Sequence, residues 1–183
     1  MNKKILPRMA LLLFTLGAVG CAGLEPREMP ESKSRKAVPV IRQSFASKQI
    51  SPWDTWKVYL IASDPEGEMK NIVCTIDQPG VGEYPVSFTS IKEENQKELA
   101  GYIHLNTQTR GNLNFIHITL TVQIQDRNGH FSAPAVFPLS FNSRFQQEPP
   151  PPGVFPEKNL GPILIQLRTI EEESPGGLFR HRF

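Results

Sequence analysis

Five oxygen-bearing side chains fall in two predicted turns, and their chemistry is that of a calcium site. The first turn holds Asp64, Glu66 and Glu68, and the second holds Asp126 and Asn128. Calcium takes roughly six to eight oxygen ligands, and paired acidic turns supply them in some β proteins. These two turns follow different predicted strands, so their convergence on a cation stays open. Ordinary turn chemistry is the interpretation we prefer.

The other residues that could support catalysis or bind a metal are scattered. The histidines are His104, His117, His130 and His181, and no two of them have the short spacing of a zinc site. We expect solvent-exposed strand or loop positions for them. The sequence contains no Gly-x-Ser-x-Gly elbow and no glycine-rich phosphate loop. It therefore predicts no enzyme, no cofactor and no metal, and a site assembled from scattered residues is the alternative.

Exposed aromatic side chains could form a platform for carbohydrate binding. The candidates are Trp53, Trp56 and Tyr102. Aromatic rings offer a flat apolar face beside polar neighbours, which suits stacking on a sugar ring. The competing interpretation is that Trp53 and Trp56 seal one end of a hydrophobic core.

Cys21 is the residue that most directly predicts a location. Lys3, Lys4 and Arg8 precede an apolar run that ends in small residues just before this cysteine. That layout is typical of a secretory signal peptide, here residues 1–20. The apolar run is shorter than the ~20 residues that a membrane-spanning helix needs. The ending Ala18-Val19-Gly20-Cys21 resembles the lipobox of bacterial lipoproteins, although Ala18 stands where leucine is usual.

That resemblance implies cleavage after Gly20, acylation of Cys21 and attachment to a membrane. Ala22, in place of aspartate, resembles the sorting signal for the outer membrane in Gram-negative envelopes. We therefore expect a membrane-anchored protein of the cell envelope, in the outer membrane. Ordinary secretion with a chance cysteine is the alternative. Once Cys21 is acylated, Cys74 has no disulfide partner, and its strand pattern predicts a buried side chain.

The charge of the chain excludes one class of partner. The precursor has 20 Lys and Arg against 18 Asp and Glu, and its first 20 residues hold three of those cations and no acid. The remaining chain would carry 17 cations against 18 anions, a net charge of −1. Such a balance does not indicate a nucleic-acid surface.

Composition divides the chain after the signal into four segments. Residues 21–37 are polar and predict a disordered tether. Residues 38–143 alternate between apolar and polar positions and predict strands without a helix. Residues 144–160 are proline-rich and predict a stiff linker. Residues 161–183 predict an extra strand, at 161–170, and a frayed tail; that strand would pair within the chain or with another protein.

Within residues 38–143 the alternation varies in clarity. It is cleanest from Ile116 to Ile124, and a short strand with Val86 and Phe88 on its apolar face is less distinct. Pro134 and Pro138 predict that the last strand lies at a sheet edge, because proline cannot donate a ladder hydrogen bond.

Two segments of this domain resemble bacterial immunoglobulin-like, PKD-like and cadherin-like modules. They are Ala62-Ser63-Asp64-Pro65-Glu66-Gly67-Glu68 and the hairpin from Val122 through Asp126-Arg127-Asn128-Gly129 to Ser132. The resemblance covers residues 38–143 and implies a single immunoglobulin-like antiparallel β-sandwich. It departs from the antibody pattern, since no tryptophan falls on the third strand and the cysteine pair is missing.

A resemblance of architecture carries no activity with it. From the anchor and the fold together we expect a non-catalytic binding or scaffolding module of an envelope protein complex. A polysaccharide-binding surface lipoprotein is the alternative.

Overall fold

The computed structural model describes residues 37–108 and 113–169, and these residues form an all-β structure. The predicted signal peptide with Cys21, the tether to residue 36 and the tail from residue 170 lie outside the described residues. The strands are β1 (Val40–Ala46), β2 (Gln49–Ile50), β3 (Thr55–Ser63), β4 (Met69–Gln78), β5 (Gly82–Glu83), β6 (Ser87–Ser90), β7 (Glu98–Asn106), β8 (His117–Asp126), β9 (Ala135–Phe141) and β10 (Asn159–Ile163). One 3-10 helix, Glu93–Asn95, interrupts them. The prediction of an all-β fold is confirmed.

The strands form two sheets. Sheet A has the order β1-β3-β7-β10, and sheet B has the order β2-β9-β8-β4-β5, with β6 also pairing with β4. The pairs β1–β3, β3–β7, β4–β8 and β8–β9 are antiparallel. The prediction of a purely antiparallel sandwich is wrong, however, because β2 runs parallel to β9 and β10 runs parallel to β7. In each of these parallel pairs the two strands are far apart in the sequence, and the chain passes through other elements before the second strand pairs with the first.

The alternation of apolar residues explains how the sheets pack. In β8 the residues Ile118, Leu120, Val122 and Ile124 are buried while their neighbours face outwards. β7 and β9 follow the same period of two, and their inward residues join those of β3 and β4 in a single hydrophobic core. Two sheets around one core are consistent with a β-sandwich.

Trp56 anchors the place where the chain passes from sheet A to sheet B. Its side chain is fully buried in the core, and its indole N–H donates to the Ser47 carbonyl at 2.9 Å. Ser47 lies between β1 in sheet A and β2 in sheet B. Trp56 therefore seals the core, as one interpretation of the sequence expected, and this residue is unable to stack on a ligand. The same expectation for Trp53 is wrong, because its side chain is 60% exposed.

β9 explains how a sheet accommodates proline. Its outer neighbour β2 pairs only with Ser140 and Phe141. The Ser140 N–H points outwards to the Lys48 carbonyl, so the nitrogen of Pro138, two residues earlier, lies on the same outer side beyond β2. β9 is therefore an edge strand along most of its length, although not at its end.

One predicted strand has its faces reversed. β6 exists, but Val86 and Phe88 are exposed, whereas Ser87 and Thr89 are buried. The buried hydroxyls are used by the C-terminal part of the chain: Thr89 donates to the Pro162 carbonyl at 2.7 Å, and Leu164 N–H donates to Ser87 Oγ at 2.8 Å. These polar contacts, rather than hydrophobicity, decide which face of β6 is covered.

Residues 147–168, here called the strap, lie on the sandwich instead of extending from it. Gln147 continues the hydrogen bonding to β3 beyond the end of β1. Its carboxamide oxygen accepts from Lys57 N–H at 2.9 Å, and its carboxamide nitrogen donates to the Thr55 carbonyl at 3.3 Å. Phe155 then packs against Tyr59, with ring centroids 5.7 Å apart. The segment predicted as a stiff linker thus covers the outer face of sheet A.

The second half of the strap completes the core. Ile163, Ile165 and Leu167 are buried in the same cluster as the residues of β4 and β8. The far end is held where Gln78 donates to the Arg168 carbonyl at 2.9 Å and Arg168 N–H donates to Tyr84 Oη at 2.8 Å. Of the strand predicted at 161–170, only the start is a strand: β10 (Asn159–Ile163) pairs with β7 within the chain, and residues 164–169 continue without strand pairing. The core therefore extends beyond the predicted limit of residue 143.

Gly101 allows the strap to approach β7. Its φ is +153°, and a Cβ built there would lie 2.3 Å from the Lys158 carbonyl oxygen, which is the acceptor of Tyr102 N–H at 2.8 Å. No side chain fits in that space.

Candidate binding surfaces

The carboxylate turns lie at one end of the sandwich, here called the polar end, and both have the same construction. Asp64 accepts backbone N–H bonds from Glu66 at 3.0 Å and Glu68 at 2.9 Å. Asp126 accepts from Asn128 and His130, both at 2.8 Å. Each turn places a glycine three residues after the aspartate in the left-handed region, Gly67 at φ +71° and Gly129 at φ +87°. The repeated Asp-x-x-Gly pattern is therefore a turn-forming device.

The two turns do come together. Arg127 N–H donates to the Glu68 carbonyl at 3.0 Å, and the Asn128 side-chain amide donates to the Glu68 carboxylate. The convergence does not create a cation site, because Asp64 and Asp126 are buried and their carboxylate oxygens accept hydrogen bonds from backbone N–H groups. Across residues 37–108 and 113–169, no group of three acidic, histidine or cysteine side chains has metal-binding geometry.

Asp126 has an additional partner that the sequence did not reveal. His130 Nδ1 lies 2.8 Å from Asp126 Oδ2. Burial raises the pKa of Asp126, but the hydrogen bonds from the His130 side chain and from the backbone outweigh burial and leave the pKa below its usual range. The sequence signal for this pair was the spacing of four residues between Asp126 and His130, which lie on either side of the turn. His104 and His117 lie on different strands, and neither belongs to this pair.

Tyr102 lies on the outer face of sheet A, in a cluster held by the strap. Glu157 bridges Lys57 Nζ at 2.7 Å and Tyr59 Oη at 2.6 Å, and the Lys57 ammonium sits 4.5 Å from the centroid of the Tyr102 ring. The hydrogen bond from Lys57, followed by that from Tyr59, lowers the pKa of Glu157. Burial and the hydrogen bond to Glu157 raise the pKa of Tyr59 to about 12. The cluster fastens the strap to β3 and β7.

Trp53 is at the other end of the sandwich, here called the aromatic end. It lies just before β3, whereas the carboxylate turn lies just after it. Trp53 is 60% exposed, and Phe115, in the connection between β7 and β8, is 81% exposed. Phe115 N–H donates to the Phe141 carbonyl at 2.9 Å, and Ser51 Oγ donates to the Phe145 carbonyl at 2.9 Å, so these loops meet around the end of β9.

The predicted aromatic platform of Trp53, Trp56 and Tyr102 is therefore dispersed over the core, a sheet face and one end. Phe115 was missed because an isolated phenylalanine beside a strand predicts a core residue. Its exposure comes from the backbone of its turn, which the alternating pattern does not encode.

The described surface offers grooves and small recesses. A recess lined by Ile72, Ile91 and Leu99 measures about 20 Å³, enough for about one water molecule. A larger depression of about 460 Å³, between Phe45 of β1 and Phe137 of β9, is an open groove. Shallow surfaces of this kind suit large ligands better than small substrates, which are usually enclosed.

The sequence matches no protein-family model and no curated protein. In the part of the chain that the structure describes, no helix is long and apolar enough to cross a membrane. Cys74 is buried in β4, and burial raises the pKa of its thiol to about 12.

Proposed function

We propose that the protein is a lipid-anchored protein of the cell envelope whose sandwich is a non-catalytic binding module. The basic, apolar and small residues before Cys21 support the anchor. An anchor of two or more acyl chains holds a protein stably at a membrane, at ~0.8 kcal/mol for each buried CH₂. Ala22 supports the outer membrane as the location.

The observation that carries this proposal is the polarity of the domain. The chain enters the sandwich at the polar end, where Ala37 N–H donates to the Glu66 carboxylate at 3.2 Å and Val40 lies opposite Ser63. The two most exposed aromatic side chains, Trp53 and Phe115, precede β3 and β8, at the other end. Phe131, beside the Asp126 turn, is less exposed, at 44%. β3 has nine residues, so about 30 Å separate the two ends. A tether from Cys21 would attach at the polar end and leave the aromatic end available to a ligand.

We also propose an immunoglobulin-like topology. Sheet A has the order β1-β3-β7, which fits strands A-B-E, and sheet B has the order β2-β9-β8-β4-β5, which fits A′-G-F-C-C′. β10 then lies beside strand E, in the place of strand D of a constant-type domain, but it comes last in the chain and runs parallel to β7. This fold supports binding through edges and loops, and the function depends on which loops are exposed.

The ligand of such a module is a protein or a polysaccharide of the envelope. A protein ligand would make the chain a scaffolding component of an envelope complex. The alternative, a polysaccharide, is favoured by the exposure of Trp53 and Phe115.

The proposal is tested by crosslinking in intact cells, detergent extraction and mass spectrometry of the tagged full-length protein. We expect acylated Cys21 and a membrane-bound protein, and we expect Cys21→Ser to release the protein into the soluble fraction. An unmodified Cys21 in a membrane-free wild-type protein would overturn the anchor. A reproducible crosslinked protein that survives in the membrane fraction would identify the scaffolding partner.

A further inference from the structure

Trp53 and Phe115 occupy the same position of two separate turns. In the first, Asp54 N–H donates to the Ser51 carbonyl at 3.3 Å, with Pro52 second and Trp53 third. In the second, Ile116 N–H donates to the Leu113 carbonyl at 3.0 Å, and Phe115 is third. The φ angles are +77° for Trp53 and +66° for Phe115, and they are the two non-glycine residues with positive φ in the described chain. This is the arrangement of a type II turn, whose third residue is normally glycine or asparagine.

An aromatic residue at this position is costly for folding. A left-handed backbone costs a residue with a Cβ roughly 1–2 kcal/mol, and an exposed ring recovers little of that cost by burial. Trp53 and Phe115 are 60% and 81% exposed, so burial of the rings offsets only part of that cost. Backbone strain of this kind concentrates at ligand-binding positions, where the strained residue presents a side chain that the ligand needs.

The surroundings of the rings indicate what they contact. No aromatic ring of the described residues packs on Trp53 or Phe115. Polar residues flank both rings in these loops, namely Ser51 and Asp54 beside Trp53, and Asn114 and Ser143 beside Phe115. Apolar residues lie there too, since Phe115 N–H donates to the Phe141 carbonyl and Ser51 donates to the Phe145 carbonyl. An exposed ring beside hydroxyl, carboxylate and amide groups offers a ligand both a stacking surface and hydrogen-bond partners.

We propose that the aromatic end binds a polysaccharide, with Trp53 and Phe115 stacking on its sugar rings. The axial C–H groups of a β-linked pyranose give it two flat apolar faces, while its rim carries hydroxyl groups that both donate and accept. Two exposed rings flanked by polar groups match that combination of apolar faces and polar rim. The carboxylate of Asp54 and the hydroxyl of Ser143 are exposed and are suited to the rim hydroxyls. The inference rests on the proposed function, because only a binding module presents this end to the envelope.

The test is affinity electrophoresis of the full chain against three probes: soluble β-1,4-glucan, chitin oligosaccharides and isolated peptidoglycan. We expect wild-type protein to be retarded by at least one probe. Trp53→Ala and Phe115→Ala should each weaken binding by about tenfold, the size of a typical interfacial anchor. Trp53→Tyr keeps a ring and should restore most of the binding. Phe88→Ala is the matched control, because Phe88 is exposed on β6, away from this end.

Failure would take one of two forms. If wild-type protein binds none of the probes, or if the alanine variants bind as well as wild type, the inference is wrong. Loss of a crosslinked envelope protein in Trp53→Ala, with no probe bound, would assign the aromatic end to a protein partner and also overturn it. Acylation of Cys21 is measured separately. An acylated Cys21 together with failed polymer binding would leave the proposed function intact.

Discussion

The two ends of the sandwich use the same backbone conformation and fill it with opposite residues. At the polar end, the left-handed positions of the turns hold Gly67 and Gly129. At the aromatic end, left-handed positions hold Trp53 and Phe115. The polar end therefore obeys the preference of the backbone, and the aromatic end violates it twice.

The hydrogen bonds show the same contrast. Each aspartate of the polar end is buried and accepts two backbone N–H groups, so its charge is used within the turn. At the aromatic end, the side chains at the special positions make no hydrogen bond or ring contact with the rest of the described chain. A residue whose conformational preference agrees with its backbone is typical of a structural element. A residue that departs from its preference, without a compensating gain in packing, is typical of a functional one.

Both ends depend on one stable domain, and the loss of the strap should destabilise that domain more than any other change. A chain ending at Lys158 lacks Ile163, Ile165 and Leu167, which are buried in the core. At ~1.5–3 kcal/mol for each buried side chain, their loss approaches the ~5–15 kcal/mol that a domain has in total. We expect this truncation to be unfolded or to melt far below the full chain in circular dichroism.

The control for that truncation is a chain ending at Thr169, which keeps every strap contact described above. It should melt within a few degrees of the full chain. A stable, cooperative protein ending at Lys158 would show that residues 38–143 fold independently, as the sequence predicted, and that the strap is an accessory.

A smaller effect is expected from Asp126, which tests whether the polar end is structural. Asp126→Asn keeps the shape of the side chain but weakens its bonds to Asn128 and His130, at a cost of about 2–3 kcal/mol at pH 7. Because the pKa of Asp126 is lower in the folded chain than in the unfolded chain, its contribution is present above pH ~4 and is lost as pH falls through the folded pKa. Urea unfolding from pH 7 to pH 2 should therefore show wild type and variant converging in acid.

Asp54→Asn at the aromatic end is the matched control, since Asp54 is an exposed carboxylate. Its unfolding free energy at pH 7 should differ little from that of the wild type, because a surface substitution of this kind usually changes stability by less than about 0.5 kcal/mol. An equal loss in both variants would mean that general surface charge, and not the construction of the Asp126 turn, stabilises the domain.

The sequence predicted the strands better than the surfaces. Alternation located β3, β4, β7 and β8 because each buries at least one face, and burial is what a period of two records. The same rule failed for β6, where Ser87 and Thr89 are buried by hydrogen bonds to the strap. It also failed to place the strap, because proline-rich composition describes a free chain and does not record contacts made over more than 80 residues, such as Lys57 with Glu157.

The binding residues were the hardest to predict. Trp53 and Trp56 are three positions apart in one segment, yet one is exposed and the other is fully buried. What separates them is the turn at Ser51, which reverses the chain before β3 starts. The Ser-Pro-Trp-Asp sequence does carry a turn signal in Pro52, but nothing local shows that a tryptophan would take the position of a glycine.

The smallest effects are expected at the left-handed positions, where substitutions at the two ends should change stability with opposite signs. Gly129→Ala puts a Cβ on a left-handed residue with nothing within 4 Å, so the cost is pure backbone strain of about 1 kcal/mol. Trp53→Gly should relieve the same strain and raise the unfolding free energy by a similar, or somewhat smaller, amount. Trp53→Ala removes the ring but keeps the Cβ, so it should leave stability near wild type. Urea unfolding of the three variants at pH 7 gives the answer. A destabilised Trp53→Gly would mean that the ring packs on the domain, and the strain at the aromatic end would then serve the fold rather than a ligand.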